Sequence, residues 1–172
     1  GKINNSNCPG ADLREANLEN MDLKGMNFEG ANFYKANLTN VNLSKAILNG
    51  ANLNIAKLKK TNFKNSFLRG TSLTNANIID VDFTNAILDN ADLQNSKFVN
   101  VIFKGTNFTN ANFSKANLKG SVLKELNLSH VNLSKADLTD ADLRGSKLVD
   151  SDLSWTNLTR TDFSNKNIGS FR

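Results

Sequence analysis

The chain has 172 residues, of which 39% are hydrophobic and 22% are charged, a size that suits one domain with its own core. The lysines and arginines outnumber the aspartates and glutamates by 21 to 16, so the net charge is +5. This mild basicity permits a polyanionic partner without requiring one. No apolar run is long enough for a transmembrane helix or for the core of a signal peptide, so we expect no membrane span. We favour a cytoplasmic location, with export through a removed signal as the alternative.

A large apolar residue stands at every fifth position. From Leu13 to Ile168 there are 32 such positions without a skip, each occupied by Leu, Phe or Ile. The same frame reaches back through Cys8, the only cysteine, to Ile3. A fixed period of this kind is typical of repeat architectures. We call the large apolar residue of each repeat its centre.

Each repeat predicts a short strand followed by a corner. A small residue stands two places before the centre and a polar one, usually Asn or Asp, lies between them, as in Ala16, Asn17 and Leu18. This alternation is typical of a strand with one buried face. Eight of the ten glycines stand two places after a centre, where Asn is also frequent, and both residue types tolerate the left-handed backbone of a tight corner. A helix is excluded, because a five-residue period would spread the centres over all its sides.

Apolar residues also occur at a few outward positions, and these exceptions recur at intervals of 20 residues. Side chains that tolerate exposure by stacking on like neighbours should recur once per coil. The spacing therefore predicts coils of 20 residues, or four repeats, with a square cross-section. The pairs with this spacing are Ile47 with Phe67, Phe67 with Ile87, Ile102 with Val122, and Ile79 with Val99.

Motifs such as Ala16-Asn17-Leu18-Glu19-Asn20 and Ala141-Asp142-Leu143-Arg144-Gly145 resemble the A(D/N)LXX signature of pentapeptide-repeat proteins. The likeness covers the full length of the chain. It implies an all-β solenoid, a right-handed quadrilateral β-helix with four repeats per coil and about eight coils. We expect a single domain over residues 1–172, with degenerate repeats or a cap in residues 1–10 and regular coils in residues 11–170.

Stacking of residues 20 apart turns the predicted exterior into columns, two of which are candidate binding surfaces. The apolar column of Ile47, Phe67 and Ile87 is either a partner surface or a ladder that shields its own backbone. A second, basic column is either a polyanion site or a set of solvated side chains. The basic column consists of Lys24, Lys64, Lys104, Lys124 and Arg144.

A third candidate surface is the C-terminal end of the predicted rod. Solenoids normally carry polar caps, and uncovered strand edges invite pairing with another chain. The repeats run almost to the end of this sequence, so we expect an end-to-end homodimer. The candidate dimer end comprises Trp155, Phe163, Ile168 and Phe171.

The sequence offers little for catalysis or for metal binding. His130 and Asp150 are 20 residues apart and are expected to be stacked neighbours, with Ser129 close by. A convex rod, however, has no concave site that excludes water from such a pair. One histidine and one distant cysteine make no metal cluster, and Cys8 is expected to be a small core residue. We therefore predict no enzyme activity, no cofactor and no metal.

The leading functional prediction is a non-enzymatic protein-interaction or structural module with an unidentified protein partner. The resemblance suggests a first alternative, because similar proteins bind DNA gyrase by mimicking duplex DNA. That role needs an anionic rod and often involves loops that interrupt the repeats, whereas this chain is net +5 with an unbroken frame. A basic-face polyanion binder is the second alternative, and nucleic acid is the less favoured class of partner.

Overall fold

Parallel pairing between residues 20 apart organises the whole of the described chain. The structure, a computed structural model, describes residues 7–164. Two strands, β1 (Asn77–Ile79) and β2 (Lys97–Val99), pair in parallel with Ile78 opposite Phe98. The other repeats, except the pair that contains Ile102 and Val122, are joined by single parallel bridges, such as the one between Asp12 and Asn32. Four repeats therefore make one coil of a β-solenoid, as the spacing of the apolar exceptions predicted.

Backbone hydrogen bonds tie each coil to the coils on both sides. The N–H of the centre Leu13 donates to the carbonyl of Asn32 in the next coil, at 2.8 Å. The N–H of Asn32 donates back to the carbonyl of Ala11, also at 2.8 Å. Both bonds recur in most repeats, with an interruption near Phe103 and Val122, so most main-chain polar groups are paired although each strand is only about three residues long.

Every corner uses the left-handed backbone conformation. All 31 corner positions from residue 10 to residue 160 have positive φ, between 53° and 70°. Only eight of them are glycine, and the rest include residues that rarely adopt this conformation, such as Ile55 and Trp155 at 60°. The prediction of left-handed corners is confirmed. The left-handed conformation also occurs at corner residues other than Gly and Asn. At Ile55 the branched side chain strains the backbone.

The centres point inward and stack in columns along the rod. Phe63, Phe83 and Phe103 form one such column, with ring centroids 5.1 and 6.1 Å apart and ring planes nearly parallel. The small residues two places before the centres are also buried in most coils. Where they carry a hydroxyl, it is bonded to the backbone: Thr61 donates to the carbonyl of Leu38 at 2.9 Å. The core is therefore apolar, with its few polar side chains satisfied.

One layer of the core is larger than its neighbours. Its four centres are phenylalanines, and adjacent ring centroids lie 5.0 to 5.7 Å apart around the layer. All four centres of the following coil are leucines. The solenoid must therefore accommodate an abrupt change in side-chain volume between these two coils. The phenylalanine layer consists of Phe98, Phe103, Phe108 and Phe113, and the leucine layer consists of Leu118, Leu123, Leu128 and Leu133.

Replacing Ile55 by Asn should stabilise the protein, because Asn tolerates positive φ and a branched side chain does not. We expect the free energy of unfolding to rise by about 1 kcal/mol, the lower end of the cost of left-handed backbone. Urea denaturation measures this change. Ile79→Asn is the matched control, since Ile79 lies in β1 and has no positive φ. The interpretation is wrong if Ile55→Asn is no more stable than the wild-type protein.

Candidate interaction surfaces

The outward Asn and Asp residues do more than keep the exterior polar. The Oδ1 atom of Asn17 accepts a hydrogen bond from the N–H of Glu19, which fixes the corner that follows. The side-chain amide of Asn37 donates to the same Oδ1 atom from the next coil, at 3.1 Å. Where the residue before a centre is Asn or Asp, it can therefore cap a corner and link two coils. Sequence reasoning described this position only as polar and missed both roles.

The apolar column is continuous in the structure. Parallel bridges join Ile47 to Phe67 and Phe67 to Ile87, so the three residues lie on consecutive coils. The side chain of Phe67 is exposed, at 44%, whereas Ile47 and Ile87 are half-buried. Beside them Arg69 and Asp89 form an ion pair at 2.8 Å. The result is a small apolar surface with an aromatic side chain in the middle and a charged pair along its edge.

The basic column is largely paired with carboxylates. Lys64 lies 3.0 Å from Asp82, and Lys124 lies 3.3 Å from Glu125. Arg144 makes a two-pronged contact with Asp142, at 2.9 and 2.7 Å. Within residues 7–164, only Lys24 and Lys104 of this column have no ion pair. The column therefore presents less free positive charge than the sequence suggested.

These exposed pairs keep their carboxylates ionised. The hydrogen bond from the Arg144 guanidinium lowers the pKa of Asp142 and raises the pKa of Arg144 itself. The equivalent bond from Arg14 lowers the pKa of Asp12 to about 2. Aspartates of this kind carry full negative charge at neutral pH. They intersperse negative charge among the basic side chains of the rod surface.

The residues considered for catalysis form an open surface pair. Nδ1 of His130 lies 3.8 Å from a carboxylate oxygen of Asp150, so the predicted stacking is confirmed, but both side chains are exposed to solvent. In the part of the chain that the structure describes, no three His, Cys, Asp or Glu residues are grouped to hold a metal ion. Cys8 is half-buried against the core. Tyr34 is also half-buried, and the amino group of Lys35 lies 5.1 Å from its ring centroid.

The candidate dimer end is only partly described. Trp155 has 87% of its surface exposed, more than any other aromatic residue between residues 7 and 164. Phe163 is half-buried against the core. Ile168 and Phe171 lie outside the described residues. Between residues 7 and 164 the structure contains no helix of the length and hydrophobicity needed to cross a bilayer.

Two side openings contradict the expectation of a rod without concave sites. They have volumes of about 600 and 520 Å³ and share the residues Val101 and Val122 in their walls. Ile102 and Val122, which the sequence suggested to be a minor apolar pair, are 51% and 60% exposed at this place. The openings lie between the phenylalanine layer and the leucine layer. Four consecutive phenylalanine centres were visible in the sequence and were the signal that could have revealed the site.

Comparison with known families agrees with this architecture. The family description "Pentapeptide repeats (8 copies)" matches residues 11–50, and "Pentapeptide repeat region" matches residues 36–107 and 96–172. The chain belongs to the pentapeptide-repeat family. No curated protein sequence matches it significantly.

Two solved pentapeptide-repeat structures show the similarity in three dimensions. One is HetL, a protein involved in heterocyst differentiation regulation from the cyanobacterium Nostoc sp. strain PCC 7120, with 26% sequence identity and a TM-score of 0.56. That match covers 92% of this chain and 67% of HetL. The other is a trypsin-treated variant of QnrB1, a plasmid-mediated fluoroquinolone resistance protein, with 20% identity and a TM-score of 0.58. This match covers 89% of this chain and 79% of QnrB1. At this level of identity the similarity shows only that the two proteins share a fold.

Proposed function

We propose that this pentapeptide-repeat chain is a non-enzymatic protein-interaction module, one rigid right-handed rod of about eight coils over residues 1–172. The observation that carries the proposal is the apolar column of Ile47, Phe67 and Ile87, which runs without interruption over three consecutive coils with the exposed ring of Phe67 in its middle. Membership of a repeat family whose fold supplies long, stiff faces supports the same role.

The apolar column has the composition of the centre of a protein interface. Aromatic side chains are enriched in such centres, and polar groups surround them. Here Phe67 occupies the middle coil, and the ion pair of Arg69 with Asp89 lies at the edge. Backbone bonds to the coils on both sides hold the column in place, as in the 2.7 Å bond from the N–H of Leu68 to the carbonyl of Ile87. Little conformational freedom would be lost on binding, which favours association.

The geometry adds no support to the two alternatives. A mimic of duplex DNA needs a continuous anionic surface, and the net charge of the chain is +5. A polyanion site needs free basic groups, but the ion pairs of Lys64, Lys124 and Arg144 occupy most of the basic column.

Replacing Phe67 by Lys tests the proposed surface with little risk to the fold. Lys147 already occupies the same column, and Lys57 and Lys97 occupy the same repeat position on another face. We expect Phe67→Lys to lose at least tenfold in affinity for a protein that the wild-type chain captures from cells. Circular dichroism and the melting temperature should stay nearly unchanged. Titration calorimetry with the purified partner measures the affinity.

Ser72→Lys is the matched control, because Ser72 occupies the same repeat position on the neighbouring face. It should bind the partner like the wild-type chain. Equal binding by Phe67→Lys and the wild type would refute the surface. Parallel losses of stability and binding in Phe67→Lys would show that the column only shields its own backbone.

A homodimer through the end that carries Trp155 remains a second part of the proposal. Trp155 has 87% of its surface exposed, and its large apolar ring would lose contact with water if it packed against a second copy of the chain. That burial would favour association. We expect light scattering over a dilution series to detect dimers at high micromolar concentration. Trp155→Lys should shift the protein to the monomer, and Lys115 and Lys135 already occupy the same corner column with positive φ. A strictly monomeric wild-type chain contradicts the proposed dimer.

A further inference from the structure

The backbone ladder of the solenoid is interrupted at one place. In the coil on one side, the N–H groups of Phe83 and Asn85 donate to the following coil at 2.9 and 2.8 Å. In the coil on the other side, Leu123 and Glu125 do the same at 2.8 and 2.9 Å. The equivalent N–H groups of the coil between them have no hydrogen-bond partner among residues 7–164. These groups belong to Phe103 and Gly105.

Further main-chain groups are unpaired at the same place. The N–H of Val122 lacks its bond to the carbonyl of Val101, and no bridge joins residues 102 and 122. The outward residues here are Ile102 and Val122 in place of Asn or Asp, so no side-chain oxygen accepts from the N–H of Lys104 or Lys124. One coil away, the carboxylate of Asp82 accepts from the N–H of Thr84 at 2.9 Å. The interruption therefore concentrates unpaired donors and acceptors along a short stretch of two facing strands.

The interruption is the floor of the larger side opening, which has a volume of about 600 Å³. Val101, Ile102, Phe103 and Val122 form apolar walls, and Asn85 lies over Gly105 so closely that an added Cβ atom would collide with its side chain. We attribute the opening to the step between the phenylalanine and leucine layers, since overfilled layers displace the backbone around them. A volume of this size accommodates a small ligand or a few residues of a peptide.

The rim of the two adjacent openings carries mostly positive charge. Four lysines contribute to the walls, and Glu125 is the one acidic residue among the residues that line them. Glu125 is already paired with Lys124 at 3.3 Å. In the described part of the chain the other three lysines form no ion pair, although Lys119 interacts electrostatically with Asp137 and Asp140. An occupant that is negatively charged therefore complements this site. The four lysines are Lys97, Lys104, Lys119 and Lys124.

We propose that this side opening binds an extended acidic peptide segment of a partner protein, which inserts one large apolar side chain between Val101, Ile102 and Val122. The peptide backbone satisfies the unpaired groups on the open strand edges, in the manner of strand addition. Its carboxylates lie against Lys104 and the neighbouring lysines. A simple anion or a fatty acid would leave the main-chain groups unpaired, so the row of backbone donors and acceptors favours a peptide. This site is separate from the apolar column and goes beyond the proposed function.

The experiment uses the full chain and three labelled, amidated pentapeptides. Glu-Asp-Phe-Glu-Asp carries both required features, Lys-Lys-Phe-Lys-Lys has the apolar side chain with the opposite charge, and Glu-Asp-Gly-Glu-Asp has the charge alone. Fluorescence anisotropy measures binding. We expect saturable binding of the first peptide and at least tenfold weaker binding of the other two. Hydrogen exchange of the amides at residues 100–105 should slow when the first peptide is bound.

The double variant Ile102→Asn with Val122→Asn removes the apolar walls and restores the usual acceptors of this repeat position. We expect it to lose at least tenfold in affinity for Glu-Asp-Phe-Glu-Asp, with a melting temperature equal to or above that of the wild type. Phe67→Lys, on the apolar column, is the matched control and should bind this peptide normally. Phe67→Lys is expected to lose the partner of the apolar column but to keep this peptide. The two proposals can therefore fail independently of each other.

Three outcomes would overturn the proposal. The first is the absence of saturable binding at concentrations of Glu-Asp-Phe-Glu-Asp up to about 1 mM. A dissociation constant of about 1 mM corresponds to a binding free energy of only about −4 kcal/mol. The second is equal binding of the basic or the glycine peptide. The third is unchanged binding by the folded double variant, which would locate the peptide elsewhere on the rod.

Discussion

The parallel hydrogen bonding between residues 20 apart is the constraint on which the rest of the structure depends. Each three-residue strand is too short to be stable by itself, and it persists because the coils on both sides pair with it. That pairing requires the chain to turn at every fifth residue, and the left-handed backbone at all 31 described corners supplies the turn. The core, the outward columns and the charged pairs all take their positions from this register.

The sequence predicted the parts of the fold that depend on period alone. The centres, the corners and the 20-residue coil followed from residues such as Leu13, Gly25 and Phe67, because each repeat has the same local structure. It did not predict that Ile55 would adopt positive φ, since the ladder overrides the local preference of single residues. It also missed the opening beside Val101. That feature depends on the volumes of two whole layers, which a reading of one repeat at a time does not compare.

The same constraint explains why the apolar column and the side opening both occur where an apolar residue replaces the usual Asn or Asp before the centre. Asn and Asp at this position cap a corner and bond to the next coil, as Asn17 does. Phe67 and Ile102 make neither bond and instead expose apolar surface on a rigid frame. Near Phe67 the ladder stays closed, and the surface is a convex patch. Near Ile102 the ladder is open, and the surface becomes a groove with unpaired backbone groups. One repeat position therefore yields two kinds of binding surface.

Electron–electron distances between spin labels test the 20-residue register most directly. Labels at Lys35 and Lys115 are separated by four coils, and labels at Lys35 and Lys135 by five, with Cys8 replaced by Ala to avoid a third label. At about 4.8 Å per coil we predict separations of about 19 and 24 Å. A coil of five repeats would give about 19 Å for the second pair, and a coil of three repeats would give about 32 Å. Either of these distances would contradict the account.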